Sequence, residues 1–204
     1  MNRLQGVKSI SKHISEYKKK LDDLFSVVDD KVLIEGIDRL ILAFKEDKTI
    51  YIAGNGGSAA TASHIHEDFV FFLRHFGNKR LKVRSLTNNV PFITAISNDI
   101  GYEYVFVEQL KDNFVAGDIL IVLSASGNSE NVIKAVEFVS KEGGTSIAFV
   151  GFEGGRLKDV CDISIFTPNP KGDYGPIEDL HLILGHLIIN YLATNEDFLR
   201  LANK

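Results

Sequence analysis

The stretch Tyr51–Phe69, YIAGNGGSAATASHIHEDF, decides the fold. An apolar run passes through Gly54-Asn55-Gly56-Gly57 into a segment of helical character that carries His64, Glu67 and Asp68. A short apolar run, a glycine turn and then a helix form the opening unit of an α/β fold, in which each parallel strand needs a crossover helix.

The pattern repeats on the C-terminal side. Runs rich in β-branched residues at 49–54, 81–87, 118–126, 145–152 and 162–168 predict five strands, and the third is nearly continuous in apolar residues, as a strand buried on both faces should be. Between and after them, helical segments are predicted over 58–75, 103–113, 129–142, 154–160 and 176–193. Strand–helix alternation implies a five-stranded parallel sheet with right-handed crossovers and helices on both faces. On the N-terminal side, Ile10, Ile14, Tyr17, Leu21 and Leu24 recur at helical spacing, and 31–45 forms a second amphipathic helix. The chain divides into an N-terminal helical segment, 1–34, and the sheet domain, 35–204.

Composition narrows the class. With 204 residues, 45% hydrophobic and 25% charged, the chain fits one globular domain. A net charge of -4 argues against nucleic acid as the main partner. The lone Cys161 cannot form an internal disulfide, and neither a signal-type apolar core nor a run of roughly 20 apolar residues is present, so a cytoplasmic protein without a membrane span is expected.

Ligands of open parallel sheets bind beyond the carboxyl ends of the strands. The first such end, Gly54-Asn55-Gly56-Gly57-Ser58-Ala59, formally matches a dinucleotide turn, but the second strand ends RSLTNN, without the acid that would hold a ribose. No Walker A lysine follows either. The third strand ends in Ser124-Ala125-Ser126-Gly127-Asn128-Ser129, a turn with three hydroxyls that opens a helix. Hydroxyl donors and free backbone N–H groups at the positive end of a helix dipole suit a phosphate monoester, while Ser129 alone also reads as an ordinary N-cap.

GNGGSA, AISNDIGYEYVF, LSASGNSENV and IEDLHLILGH, in this order over about 35–195, together resemble the sugar isomerase (SIS) domain family, in particular its phosphoheptose isomerase branch. The resemblance implies an aldose–ketose isomerase that converts sedoheptulose 7-phosphate to D-glycero-D-manno-heptose 7-phosphate, a precursor of bacterial surface polysaccharide. It implies that Ser124, Ala125, Ser126 and Ser129 hold the phosphate, and that Asn55, Gly56, Gly57, Ser58, Asn98 and Asp99 touch the sugar. A homotetramer with active sites at subunit interfaces follows from the same resemblance, and the N-terminal helices carry spare apolar faces for it.

His64 and Asp68 are four apart and project from one helix face, while Glu178 and His186, eight apart, are offset by roughly 80° on an ideal helix. An imidazole and a carboxylate from each of two helices suit a divalent metal such as zinc. The resemblance implies the same set, His64, Asp68, Glu178 and His186, with Asp68, Glu178 and the turns contacting substrate and with Asp68 and His186 moving the protons. Four positions depart from the branch. Asp68 replaces a glutamate, with Glu67 as a competitor; Glu178 replaces a glutamine; Phe72 replaces an arginine, with Arg74 nearest; and Gly175 replaces an aspartate. Asp179 lies almost on the face of His186, so periodicity does not choose between it and Glu178. His181 faces about 140° away from His186, toward another wall of the site or a neighbouring subunit. Phe69, Val70 and Leu73 are expected in the core.

Overall fold

The structure is a computed structural model that describes residues 9–203, so the first part of the 1–34 segment and the last residue of 35–204 lie outside the described residues. Its elements run α1 (Ile10–Ser26), α2 (Asp30–Lys45), β1 (Thr49–Gly54), α3 (Gly57–Glu67), a π-helical turn (Asp68–Phe72) and a 3-10 turn (Leu73–His75). They continue through β2 (Lys82–Ser85), α4 (Val90–Asp99), a 3-10 turn (Tyr102–Tyr104), α5 (Val107–Lys111), β3 (Ile119–Ser124) and α6 (Glu130–Lys141). β4 (Thr145–Val150), α7 (Leu157–Val160), β5 (Ile163–Phe166), α8 (Tyr174–Thr194) and α9 (Glu196–Ala202) complete the chain.

All strand pairs are parallel, in the order β2-β1-β3-β4-β5. The expected α/β fold with five parallel strands is therefore the fold observed. β3 lies at the centre with all six residues buried, which is why its sequence shows no polar alternation. One face of the sheet, with Ile52, Ile121, Leu123, Phe149 and Ile165, packs against α2, α3, α8 and α9 through Leu40, Ile65, Leu184 and Phe198. The other, with Tyr51, Leu120, Val122 and Ala148, packs against Leu110 of α5, Val132 and Val136 of α6 and Leu157 of α7. Each fully buried Leu, Ile or Val on these faces contributes roughly 1.5–3 kcal/mol.

Several local expectations are corrected. Residues 58–75 do not form one α-helix. The π-helical turn carries an extra residue per turn, which rotates Val70 out of the core to 41% exposure while Phe69 and Leu73 stay buried. α4 and α9 have no counterpart among the predicted helices. α4 buries none of its residues and so has no strong hydrophobic period to read. The boundary between 34 and 35 falls inside α2, whose Leu33, Ile37 and Phe44 share the sheet's core. α1 buries only Leu24 and is fastened to the start of α8 by a hydrogen bond from Tyr17 Oη to Asp179 Oδ2 (2.5 Å) and an ion pair between Lys20 and Asp173.

Because the chain runs outward from β1 to β2 on one side and resumes at β3 on the other, the strand order reverses between β1 and β3. Gly54 at the end of β1 stands in register with Leu123 near the end of β3. The two turns singled out by sequence thus adjoin at the switch point, where open α/β sheets place their ligands.

Candidate active site

At the end of β3 the chain turns through Gly127, with φ at +64°, and its position leaves no room for a side chain, since a Cβ would lie 1.9 Å from the Gly154 carbonyl oxygen. The Gly127 N–H donates to Ser124 Oγ (3.1 Å) and the Asn128 N–H to Ser126 Oγ (3.3 Å). Each hydroxyl uses its oxygen as acceptor within the turn, which leaves its O–H free to donate outward. Ser129 occupies the N-cap of α6, yet its side chain makes no capping bond. These serines line a cleft of about 150 Å³ with Asn55, Ser58, Ala125, Tyr174 and Glu178. Hydroxyl donors at the N-terminus of a 12-residue helix suit an anion.

The opposite wall is the β1–α3 turn. Gly56 is the N-cap of α3 with φ 55° and ψ -122°, and nothing lies within 4 Å of where its Cβ would be, so this backbone is open to a ligand. Gly57 is covered instead. A Cβ there would stand 2.2 Å from Glu178 Oε2, so the Glu178 carboxylate rests on the first turn of α3 only because residue 57 has no side chain. Burial pushes the Glu178 carboxyl above its usual range, and the charge of Asp179 adds to this. Asp179 itself is held by Tyr17, whose hydroxyl this bond pushes up to about 12. The ambiguity left by periodicity is resolved: Glu178 faces the cleft and Asp179 faces α1.

Asn55 is fixed by its neighbours. Its amide exchanges two hydrogen bonds of 2.9 Å with buried Asn131 on α6, and Tyr102 Oη donates to its Oδ1 at 2.7 Å. Sequence reasoning gives neither Asn131 nor Tyr102 a role, although both lie within the quoted motifs. Asn98 and Asp99, at the end of α4, are exposed and bonded to each other (2.7 Å), outside the lining of the cleft.

One α-helical repeat after another along α3 and α8 brings a second group together. His64 Nε2 and His186 Nε2 are 2.9 Å apart, and Asp68 Oδ2 lies 3.4 Å from the first and 3.5 Å from the second. The imidazoles are nearly half exposed (47% and 45%) and the carboxylate is 18% exposed. Asp68 Oδ2 is buried without a hydrogen-bond partner, an expensive state for a carboxylate oxygen. Three converging donors, two imidazole nitrogens and an orphaned carboxylate oxygen, fit a small divalent cation. Glu67 is exposed and outside this group, so Asp68 is the residue brought to it. Glu178, expected as a fourth ligand, is not part of the cluster. It precedes His186 by eight residues, about 12 Å of helix rise, and its carboxylate sits at the other end of α3.

His181 does not serve the site or a neighbour. It is buried against the Phe149 ring, and burial pushes its imidazole down to about 3. Arg74, considered as a stand-in for the arginine absent at Phe72, lies over the Phe71 ring at 4.0 Å. A larger cleft of about 360 Å³ at the β2 edge, lined by Arg84, Glu108 and Asp112, contains neither the serine turn nor the His–Asp cluster.

Comparison with known proteins identifies the family to which this fold belongs. The SIS domain family model matches residues 16–151. A phosphoheptose isomerase of a Nitratiruptor species is 34% identical over 183 residues, covering 90% of this chain and 96% of that protein. Phosphoheptose isomerase 2 of Campylobacter jejuni is 38% identical over 152 residues, 73% of each chain. The structure of phosphoheptose isomerase from Neisseria gonorrhoeae superposes with a TM-score of 0.80 at 28% identity, covering 89% of this chain and 95% of that one. With these relatives and this site, the chain belongs to the SIS domain family, among the phosphoheptose isomerases.

Proposed function

We propose that the protein isomerises sedoheptulose 7-phosphate to D-glycero-D-manno-heptose 7-phosphate. The observation that carries this reading is the pairing, along α3 and α8, of a serine-lined anion cleft with a separate His–Asp cluster. The phosphate docks at Ser124, Ser126 and Ser129, where O–H donors and the α6 N-terminus meet it. The chain of hydroxyls then runs past Asn55, Gly56, Gly57, Ser58 and Glu178, and its C1–C2 end reaches His64, Asp68 and His186. Asn98 and Asp99 belong to the same reading as further sugar contacts.

Isomerisation moves a proton from C1 to C2 and a hydroxyl proton from O1 to O2 through an enediol. His186, more exposed than Asp68, takes the proton from C1 and, as the imidazolium, returns it to C2, while the Asp68 carboxylate balances that charge and carries the hydroxyl proton from O1 to O2. His64 holds the pair in register. The cluster would hold a divalent metal, with zinc the ion best matched to these donors, and such an ion would supply charge stabilisation to the substrate; a group that ligates it is not free as a base, so His186 or Asp68 must be released from it to move its proton. Glu178 is left to the sugar, in keeping with its place on Gly57.

The same reading makes the protein a cytoplasmic homotetramer with active sites at subunit contacts. It is supported by an apolar groove of about 400 Å³ between α2 and α8, lined by Leu33, Ile34, Ile37, Leu187 and Tyr191. Among the described residues no helix is long and apolar enough to cross a membrane. Incubation of purified protein with sedoheptulose 7-phosphate, followed by NMR, should reveal new anomeric signals of the aldose. Tight binding of the sugar phosphate without turnover would identify a sensor in place of an enzyme.

A further inference from the structure

The hydrogen-bond chain at the switch point has only one consistent direction. The backbone N–H of Val132 donates to Asn131 Oδ1 at 2.9 Å, which fixes that atom as the oxygen. Asn131 Oδ1 also faces Asn55 Nδ2, and Asn131 Nδ2 faces Asn55 Oδ1, so both amides are oriented by that backbone donor. Asn55 Oδ1 has two lone pairs, and they are filled by Asn131 Nδ2 and by the Tyr102 hydroxyl, which must be the donor. Asn55 Nδ2 has two hydrogens, of which Asn131 takes one. The other is left for the cleft that Asn55 lines.

We propose that Tyr102 is a positioning residue for the isomerase reaction. Its hydroxyl holds the Asn55 amide so that the remaining N–H points at a sugar oxygen, and it ties the segment after α4 to the β1–α3 turn. This rests on the reading of Asn55 as a substrate contact. Two features favour a functional bond over a structural one. Tyr102 is 54% exposed, so the core does not depend on its ring, and buried Val105 and Phe106 already seat the segment in the core beside α6, so the fold does not need this bond to hold the segment in place. The acceptor, by contrast, is anchored on both sides, by the end of β1 and by buried Asn131.

The test is a double-mutant cycle with Tyr102→Phe and Asn55→Ala, read as kcat/KM for sedoheptulose 7-phosphate, with calorimetric binding of inorganic phosphate as control. Tyr102→Phe should lower kcat/KM by about tenfold, the scale of one hydrogen bond, and leave phosphate affinity unchanged. In the Asn55→Ala background the same change should cost nothing more, because a residue acting through Asn55 has nothing left to position. Equal losses in both backgrounds would overturn the proposal, as would full activity of Tyr102→Phe. An Asn55→Ala enzyme with undiminished kcat/KM would overturn the prior assignment of Asn55 to the sugar, a distinct result that removes the positioning role with it.

Discussion

Replacing Gly57 with alanine separates the fold from the site. The added Cβ would stand 2.2 Å from Glu178 Oε2 and 2.5 Å from its carboxyl carbon. Ordinary contact needs about 3.5 Å, so the carboxylate must retreat by more than about 1 Å. It belongs to the far end of a flexible side chain, and rotation about its own bonds supplies the movement. Gly57 is the first residue of α3 and has no left-handed backbone, so alanine should stabilise the helix by roughly 0.4–1 kcal/mol. A displacement of about 1 Å in a group that positions substrate costs up to about 10²-fold in rate. Gly57→Ala should therefore unfold in urea no earlier than the parent, yet lose about ten- to a hundredfold in kcat/KM. Gly54→Ala is the contrast, because there the Cβ would meet the Ser58 backbone oxygen at 2.7 Å and no rotamer relieves it. That variant should lose stability and activity together. A fully active Gly57→Ala enzyme would refute the placement of Glu178 in the working cleft.

Three further outcomes are expected. His64→Ala, Asp68→Asn and His186→Gln should each lower bound zinc, measured on protein purified without chelators, and reduce kcat by about 10²-fold or more, whereas Glu67→Gln should do neither. Replacing Ser126 and Ser129 with alanine should weaken sugar-phosphate binding by about 1.5–3 kcal/mol per charged hydrogen bond, by calorimetry, without lowering the unfolding midpoint. His181 is held neutral in the fold, since burial pushes its imidazole from the ordinary 6.5 down to about 3. The unfolded chain binds the extra proton in that window, so this contribution is complete above about pH 6.5 and is lost as pH falls, with a slope near 1.4 kcal/mol per pH unit. Urea titrations at pH 7 and pH 5 should show this loss, and His181→Leu should remove it.

The sheet was legible because burial imprints itself on composition. β3 is covered on both faces and reads as an unbroken apolar run, and the serine turn follows it directly. His64 and Asp68 were legible because one helical turn separates them. Glu178 and Asp179 were not, since neighbouring residues near the start of α8 differ only in what reaches them, and that is settled by Tyr17, 162 positions away in the chain. α4 escaped because its packing is too slight to impose a period. Val70 was misplaced because a π-helical turn changes the helical phase without any glycine or proline to announce it. Asn131 and Tyr102 lay in plain view, but their partners are set by tertiary folding.

The π-helical turn also divides one continuous helical segment into two parts with separate histories open to them. Up to the first residue of the turn, His64 and Asp68 must keep their spacing to meet His186. Downstream, Val70, Phe71 and Phe72 face outward and answer to whatever covers that surface. A wide turn absorbs or releases one residue without breaking the chain's course, so single-residue insertions and deletions after Asp68 can be tried by evolution while the His–Asp pair keeps its angle. A library of one-residue indels between 70 and 72 would thus vary the outer surface around a constant His–Asp cluster, a route to new assemblies that keeps the spacing of that cluster.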